Sequence, residues 1–214
     1  MNGNARKRTV STILSTLIVL AVICCVSCSE QVKLSSKGIV LLGPQNEQDW
    51  VHIGGGGFKF ADGVVTSFGG RGVLVYTQSA FGDFRLKLEF KQETLEADSG
   101  VFVRLPYPHG DKWLDDAPNW YQVELGPVMN GSNQGMAAID NLATPIDDVP
   151  VKPAGRWNDM EVSCIGREYN IYLNGQLVTT FTGDGARRGY IGLQNHDKTS
   201  IVHFRNIHVV EVQP

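Results

Sequence analysis

From Gly38 to the C-terminus, turn formers break the sequence about every 8 to 12 residues, and no long helical hydrophobic period takes hold between them. The clearest segment is Phe84 to Lys91, where Phe84, Leu86, Leu88 and Phe90 alternate with Arg85, Lys87, Glu89 and Lys91. A period of two with apolar and charged residues on opposite sides predicts a strand with one buried and one wet face. Asp62-Gly63 separates Phe58-Lys59-Phe60 from Val64-Val65-Thr66, and Asn174-Gly175 separates Tyr169–Leu173 from Gln176–Phe181. Both dipeptides accept the positive φ that tight hairpins need, so two hairpins are predicted. Further strand-like runs are Ile39–Leu42, Trp50–Ile53, Val73–Thr77, Val101–Arg104, Trp120–Leu125, Met160–Ile165, Gly189–Gln194 and Ile201–Val212. Such a chain predicts an all-β sandwich of antiparallel sheets.

Two stretches lack this rhythm. One follows Arg104 and carries Pro106, Pro108, His109, Gly110, Trp113, Asp115, Asp116 and Pro118; the other runs from Gly126 to Pro153. Loops of that length on a compact domain are where binding groups collect. The four glycines Gly54 to Gly57 lack the Gly-Lys-Ser/Thr continuation of a phosphate loop, and a flexible turn is expected there.

The first residues follow a different logic. Arg6, Lys7 and Arg8 precede an apolar run from Val10 to Val26, and Ser27 precedes Cys28. That is the layout of an export signal. Cys25-Val26-Ser27-Cys28 resembles a bacterial lipobox, which implies lipid attachment at Cys28. The expected organisation is a lipoprotein-type signal over 1–27, a tether over 28–37 and one domain over 38–214. The implied location is the bacterial cell envelope, periplasm or outer membrane, with the membrane reached through the lipid. Cleavage removes three basic residues and no acid, so the 19 basic residues become 16 against 22 acidic ones, a net charge of −6. Nucleic acid is not an expected partner for such a chain. Of the four cysteines only Cys164 remains after cleavage, so no internal disulfide can form; its alternation with Met160 and Val162 predicts a small buried hydrophobe.

Trp120-Tyr121-Gln122-Val123-Glu124-Leu125 carries the densest chemistry. Alternation sends Tyr121, Val123 and Leu125 to one face and Trp120, Gln122 and Glu124 to the other. An aromatic, an amide and a carboxylate in one row could stack on a sugar, orient it and exchange protons with it. Parity places Arg104 beside Phe102, opposite Val101 and Val103, and His196 sits next to Asp197 at a strand end. Ordinary roles stay open for each: a cross-strand ion pair for Arg104, a turn cap for His196, packing under a loop for Trp120. Asp98, Asp140, Asp147 and Asp148 are oxygen donors of the kind calcium or manganese takes, but their spacing matches no metal loop, so no cofactor is certain. The other histidines, His52, His109, His203 and His208, form no ligand-spaced pair on a helix.

Several segments, taken in order, resemble the 3-keto-disaccharide hydrolase family: Phe81 to Phe90, Ser99 to Arg104, Tyr121 to Leu125, Lys152 to Asn158, Leu173 to Gly175, Gly189 to His196 and Phe204 to Ile207. The resemblance spans about Trp50 to Val212 and implies a concanavalin-like jelly-roll sandwich acting on carbohydrate. Where the family usually reads Tyr-Glu-x-Gln followed by an aspartate, this chain reads Tyr121-Gln122-Val123-Glu124 followed by Gly126-Pro127. The carboxylate has moved one side-chain pair along the strand, roughly 6 to 7 Å. The activity implied is cleavage of a 3-keto-glycoside: a base removes the proton at C2, the glycosidic oxygen leaves C1, and water adds back. On that reading Glu124 or His196 is the base, Arg104 holds the enolate or a hydroxyl, Gln122 orients, and Trp120 and Trp113 bind the sugar. The competing expectation is a non-catalytic carbohydrate-binding module using Trp113, Trp120 and Tyr121 as platforms. A retaining β-glucanase would need paired carboxylates about 5 Å apart, and no Glu-x-Asp-x-x-Glu run supplies them.

Overall fold

The computed structural model describes residues 33–34, 38–109 and 119–213. The signal segment, Cys28, most of the tether and Trp113 lie outside these residues. The strands are β1 (Lys33–Leu34), β2 (Ile39–Val40), β3 (Trp50–Gly54), β4 (Gly57–Ala61), β5 (Val64–Phe68), β6 (Gly72–Phe81) and β7 (Phe84–Gln92). There follow β8 (Gly100–Leu105), β9 (Tyr121–Glu124), β10 (Asn158–Ile165), β11 (Glu168–Leu173), β12 (Gln176–Thr182), β13 (Gly189–Asn195) and β14 (Val202–Gln213). Among the described residues the one helical element is a 3-10 turn at Glu47–Asp49.

All pairings are antiparallel and build two sheets. The larger runs β12-β11-β10-β7-β14-β5-β4, with β1 and β2 also on β14; the smaller runs β3-β6-β13-β8-β9. This is the expected all-β jelly-roll sandwich. The alternation in Phe84–Lys91 is realised literally: Phe84, Leu86, Leu88 and Phe90 are buried between the sheets, and Lys87 is exposed. Both hairpins form, with Asp62 and Gly63, and Asn174 and Gly175, at positive φ. Cys164 is fully buried, as expected, and burial pushes its thiol up to about 12.

β6 runs on to Phe81, well past the expected end at Thr77; Phe81 pairs with Gly189 of β13, and between that pair and Tyr76–Ile191 the register shifts. Residues Thr77 to Ser79, inside that irregularity, are polar and partly exposed, so no apolar face marked them as strand in the sequence.

The four-glycine run is not a loose turn. Gly55 N–H donates to Arg71 O at 2.6 Å, and a Cβ on Gly56 would fall 2.5 Å from Gly70 N and 2.6 Å from Phe68 O. The β3–β4 and β5–β6 turns therefore pack backbone on backbone, a contact open only to glycine. Asn195 Nδ2 ties the junction by donating to Phe68 O at 2.7 Å.

Candidate functional site

The outer face of the smaller sheet carries a pocket of about 810 Å³. Gln122 and Glu124 on β9, Phe102 on β8 and Gln194 on β13 form its floor, with Trp120 and His196 just outside the strand ends. Arg71 and Asp98 enter from turns, and Asp140 from the segment after β9.

That last segment, expected to be irregular, is stitched to β9. Glu124 N–H donates to Ala138 O at 2.9 Å, Ala137 N–H to Glu124 O at 2.8 Å, and Asp140 N–H to Gln122 O at 3.0 Å. The chain from Ala137 to Asp140 thus covers the free edge of β9 and brings the Asp140 carboxylate to Glu124.

Gln122 and Glu124 face the pocket together, as alternation predicts. Gln122 Nε2 donates to Glu124 Oε1 at 2.7 Å and to Gln194 Oε1 at 3.2 Å. Gly100, paired with Glu124 across the sheet, leaves the room this amide uses: a Cβ there would fall 2.7 to 2.9 Å from the Gln122 side chain. Glu124 is 6% exposed. Burial, reinforced by the charges of Asp140 and Asp98, raises its carboxyl to about 8 against the bond from Gln122, so at neutral pH it is mainly protonated.

His196 lies across the same pocket between two carboxylates. Its Nδ1 is 3.0 Å from Asp197 Oδ2 and its Nε2 is 3.6 Å from Asp98 Oδ2. Asp197 also accepts from the amides of Thr199 and Ser200 and from both hydroxyls. The bond to His196 and those from Thr199 and Ser200 hold its carboxyl well below the usual range. An ionised Asp197 accepts a hydrogen bond from His196 Nδ1–H, the tautomer that leaves the Nε2 lone pair toward the pocket. Ser200 Oγ, which donates to Asp197, accepts in turn from Asp98 N–H at 2.9 Å. Burial, foremost, raises the Asp98 carboxyl, and its Oδ1 is a buried acceptor without a partner among the described residues.

Arg104 does not join them. Its Cα has φ +58, and across β13 the register slips between Tyr190–Leu105 and Gly192–Phe102. This bulge turns Arg104 inward, where Val101 and Val103 already point. Gly189 makes the bulge fit, since a Cβ there would meet the Arg104 carbonyl carbon at 2.4 Å. The guanidinium donates to Gly82 O, Gly166 O, Cys164 O, Tyr169 OH and Asp83 Oδ1 inside the sandwich, with 1% of the residue exposed. The expected role at an enolate therefore fails on geometry. Tyr121 is likewise no sugar platform: it packs on Tyr169 and Phe181, and its hydroxyl accepts from Gly185 N–H.

Trp120 does line the pocket, edge-on to Phe102 at 5.2 Å between ring centroids. Arg71, Asp98, Asp140 and Gln194 were not among the expected catalytic or sugar-binding residues. Arg71 had one legible signal, a lone charge inside Gly69-Gly70-Arg71-Gly72. Asp98 and Asp140, expected if anything to be metal donors, converge only through sheet pairing. Among the described residues no three His, Cys, Asp or Glu side chains are grouped to hold a metal ion.

No curated protein matches the sequence. Among solved structures, a protein of Parabacteroides distasonis ATCC 8503 named as a glycosyl hydrolase is similar at 25% identity and TM-score 0.66, over 82% of this chain and 99% of its own. The carbohydrate-binding module CBM66 of Bacillus subtilis is 16% identical at TM-score 0.54, over 74% of this chain and 93% of its own. A Bacillus licheniformis β-glucanase is 11% identical at TM-score 0.55, over 82% and 98%. The last two likenesses show the shared jelly-roll fold. A sequence profile for the 3-keto-alpha-glucoside-1,2-lyase-like domain matches residues 39–210, and the chain belongs to that family.

Proposed function

We propose that this protein cleaves 3-keto-glycosides or 3-keto-disaccharides by elimination and hydration, and that it works in a bacterial cell envelope, held by a lipid on Cys28. One observation carries the chemical reading: a protonated carboxyl, Glu124, and a histidine tied to an ionised carboxylate, His196–Asp197, line one pocket. A protonated carboxyl and an imidazole oriented by a carboxylate place an acid and a base in one site. The pocket's volume lies within the range of about 300 to 1,000 Å³ usual for small-molecule sites.

A ketone at C3 acidifies the C2 proton, because the electron pair left behind delocalises onto the carbonyl oxygen. His196 Nε2 takes that proton, and Asp98 beside it stabilises the imidazolium. Arg71, the cation that lines the pocket, offsets the enolate charge in place of Arg104. As the enolate collapses, the C1–C2 double bond forms, the C1–oxygen bond breaks, and Glu124 protonates the departing oxygen. Water then adds its oxygen to C1 while the proton held by His196 returns to C2, and the proton that water gives up restores Glu124. The products are the 3-keto sugar and the free alcohol.

The test is incubation with a 3-keto-glucoside and, separately, with intact glycans. Release of the 3-keto sugar, lost in Glu124→Gln and in His196→Ala, supports the enzyme; binding of either ligand without turnover leaves a carbohydrate-binding module instead.

A further inference from the structure

Between residues 38 and 214 the dipeptide Asn-Gly occurs twice, as Asn130-Gly131 and Asn174-Gly175, and the fold treats the two differently. The side-chain carbonyl of an asparagine is open to attack by the backbone nitrogen of the next residue, and glycine, with no Cβ beside that nitrogen, hinders the approach least. The reaction needs a side-chain amide that is not held elsewhere, a following N–H outside any hydrogen bond, and a main chain able to bend into a five-membered ring. Asn174 is held. Its Oδ1 accepts from Asp159 N–H at 2.9 Å, its Nδ2 donates to Pro150 O at 2.7 Å and to Asn158 Oδ1 at 2.9 Å, and pairing of Leu173 with Gln176 fixes the main chain around it.

Asn130 stands at the tip of a turn. Met129 O accepts from Ser132 N–H at 3.0 Å, Gly131 has φ +75, and Asn130 and Gly131 are both exposed. Among the described residues neither the Asn130 side chain nor the Gly131 N–H makes a hydrogen bond, and no atom lies within 4 Å of where a Cβ on Gly131 would sit. The same turn belongs to the pocket wall, which Pro127, Met129 and Gln134 line. Around it the loop is closely fitted. Pro127 O accepts from Met136 N–H at 3.0 Å, Gln134 N–H donates to Ser132 Oγ at 3.1 Å, and a Cβ on Gly135 would fall 3.1 Å from Met129 N. The wall therefore depends on the main-chain length of this turn.

We infer that Asn130 is a self-modification site, where the folded protein loses ammonia and thereby rebuilds one wall of its pocket. Gly131 N bonds to Asn130 Cγ, the Cγ–Nδ2 bond breaks, and Nδ2 leaves as ammonia with the proton from Gly131 N–H. Water then opens the resulting succinimide at either of its two carbonyls. One opening gives aspartate. The other gives isoaspartate, whose main chain runs through the side-chain carbon and is one atom longer. That extra atom breaks the bond from Ser132 N–H to Met129 O and displaces Met129 and Gln134 from the wall. Both products add a carboxylate beside a pocket that already holds Asp98, Glu124 and Asp140.

The experiment is incubation of the folded full-length protein in mildly alkaline buffer, followed by digestion and mass analysis of the peptides that carry residues 130 and 174. Asn130 is converted, with isoaspartate the more abundant product. Asn174, whose three hydrogen bonds each cut its free population about fivefold, reacts on the order of 100-fold more slowly. In denaturant the two convert at similar rates. Equal rates in the folded protein, an Asn130 that is spared there, or a difference that persists in denaturant overturns the inference. Hydrogen exchange reads the wall: it speeds up across residues 127–136 in the isoaspartate fraction and keeps the parent's rate in Asn130→Asp, which carries the charge without the longer chain. Exchange unchanged in the isoaspartate fraction, or raised equally in Asn130→Asp, overturns the rebuilding of the wall.

Discussion

Phe102 and Arg104 stand two residues apart on one strand and on opposite faces of its sheet: the phenyl ring lines the pocket, and the guanidinium lies among backbone carbonyls inside the sandwich. A single bulge, with Arg104 at φ +58, separates them. It converts the most plausible cation for catalysis into a clamp joining the Gly82 and Gly166 turns.

Arg104→Met should therefore destabilise the fold by about 3 to 5 kcal/mol, because it strands Asp83, Tyr169 OH and three carbonyls around a buried gap. Denaturant unfolding should show the loss. The activity of the fraction that remains folded should stay within about twofold of the parent, whereas Arg71→Ala should keep stability and lower kcat by about 10²-fold.

Catalysis should fall with a single ionisation as the pH rises through about 8, the value at which Glu124 gives up the proton it donates to the leaving oxygen. A kcat profile that instead rises through that pH would make Glu124 the base and reverse its role with His196.

Stability should change in the same window. The folded-state value of Glu124, about 8, lies above its ordinary 4.5, so the folded state binds this proton more tightly. The stabilisation is complete below about pH 4.5 and is lost as the pH rises through 8, a loss on the order of 5 kcal/mol. Glu124→Gln keeps an acceptor for Gln122 Nε2 and carries no charge, so it should unfold at higher denaturant than the parent at pH 9 and at nearly the same concentration at pH 4.

Gly100→Ala tests the positioning of the acid. The added methyl needs the space of the Gln122 side chain and should turn its amide away from Glu124. We expect kcat to fall about tenfold or more, with the alkaline limb shifted upward as the bond that favours the carboxylate is lost. An unchanged profile would show that Gln122 does not set the proton affinity of Glu124.

Asp197→Asn should lower kcat by about 10²- to 10⁴-fold with little change in unfolding midpoint. The asparagine oxygen can keep the bonds to Thr199 and Ser200, while its amide donates to His196 Nδ1 and forces the ring proton onto Nε2. His196 then has no lone pair for the substrate, and raising the pH does not restore it.

The sequence by itself determined the sandwich. Alternation in Phe84–Lys91 and the two hairpin dipeptides act over a few residues, so pleat and turn chemistry decide them locally. The same locality made the shared face of Trp120, Gln122 and Glu124 legible. Tertiary structure decided the rest, because each remaining feature depends on what lies across a sheet. The bulge at Arg104 exists because Gly189 allows β13 to approach; Asp140 reaches Glu124 because Ala137 to Asp140 covers the edge of β9; the glycine run is closely packed because Gly70 lies against it. No spacing along the chain encodes these meetings, and the raised proton affinity of Glu124, which needs burial and two distant aspartates at once, could not have been read from its neighbours in sequence.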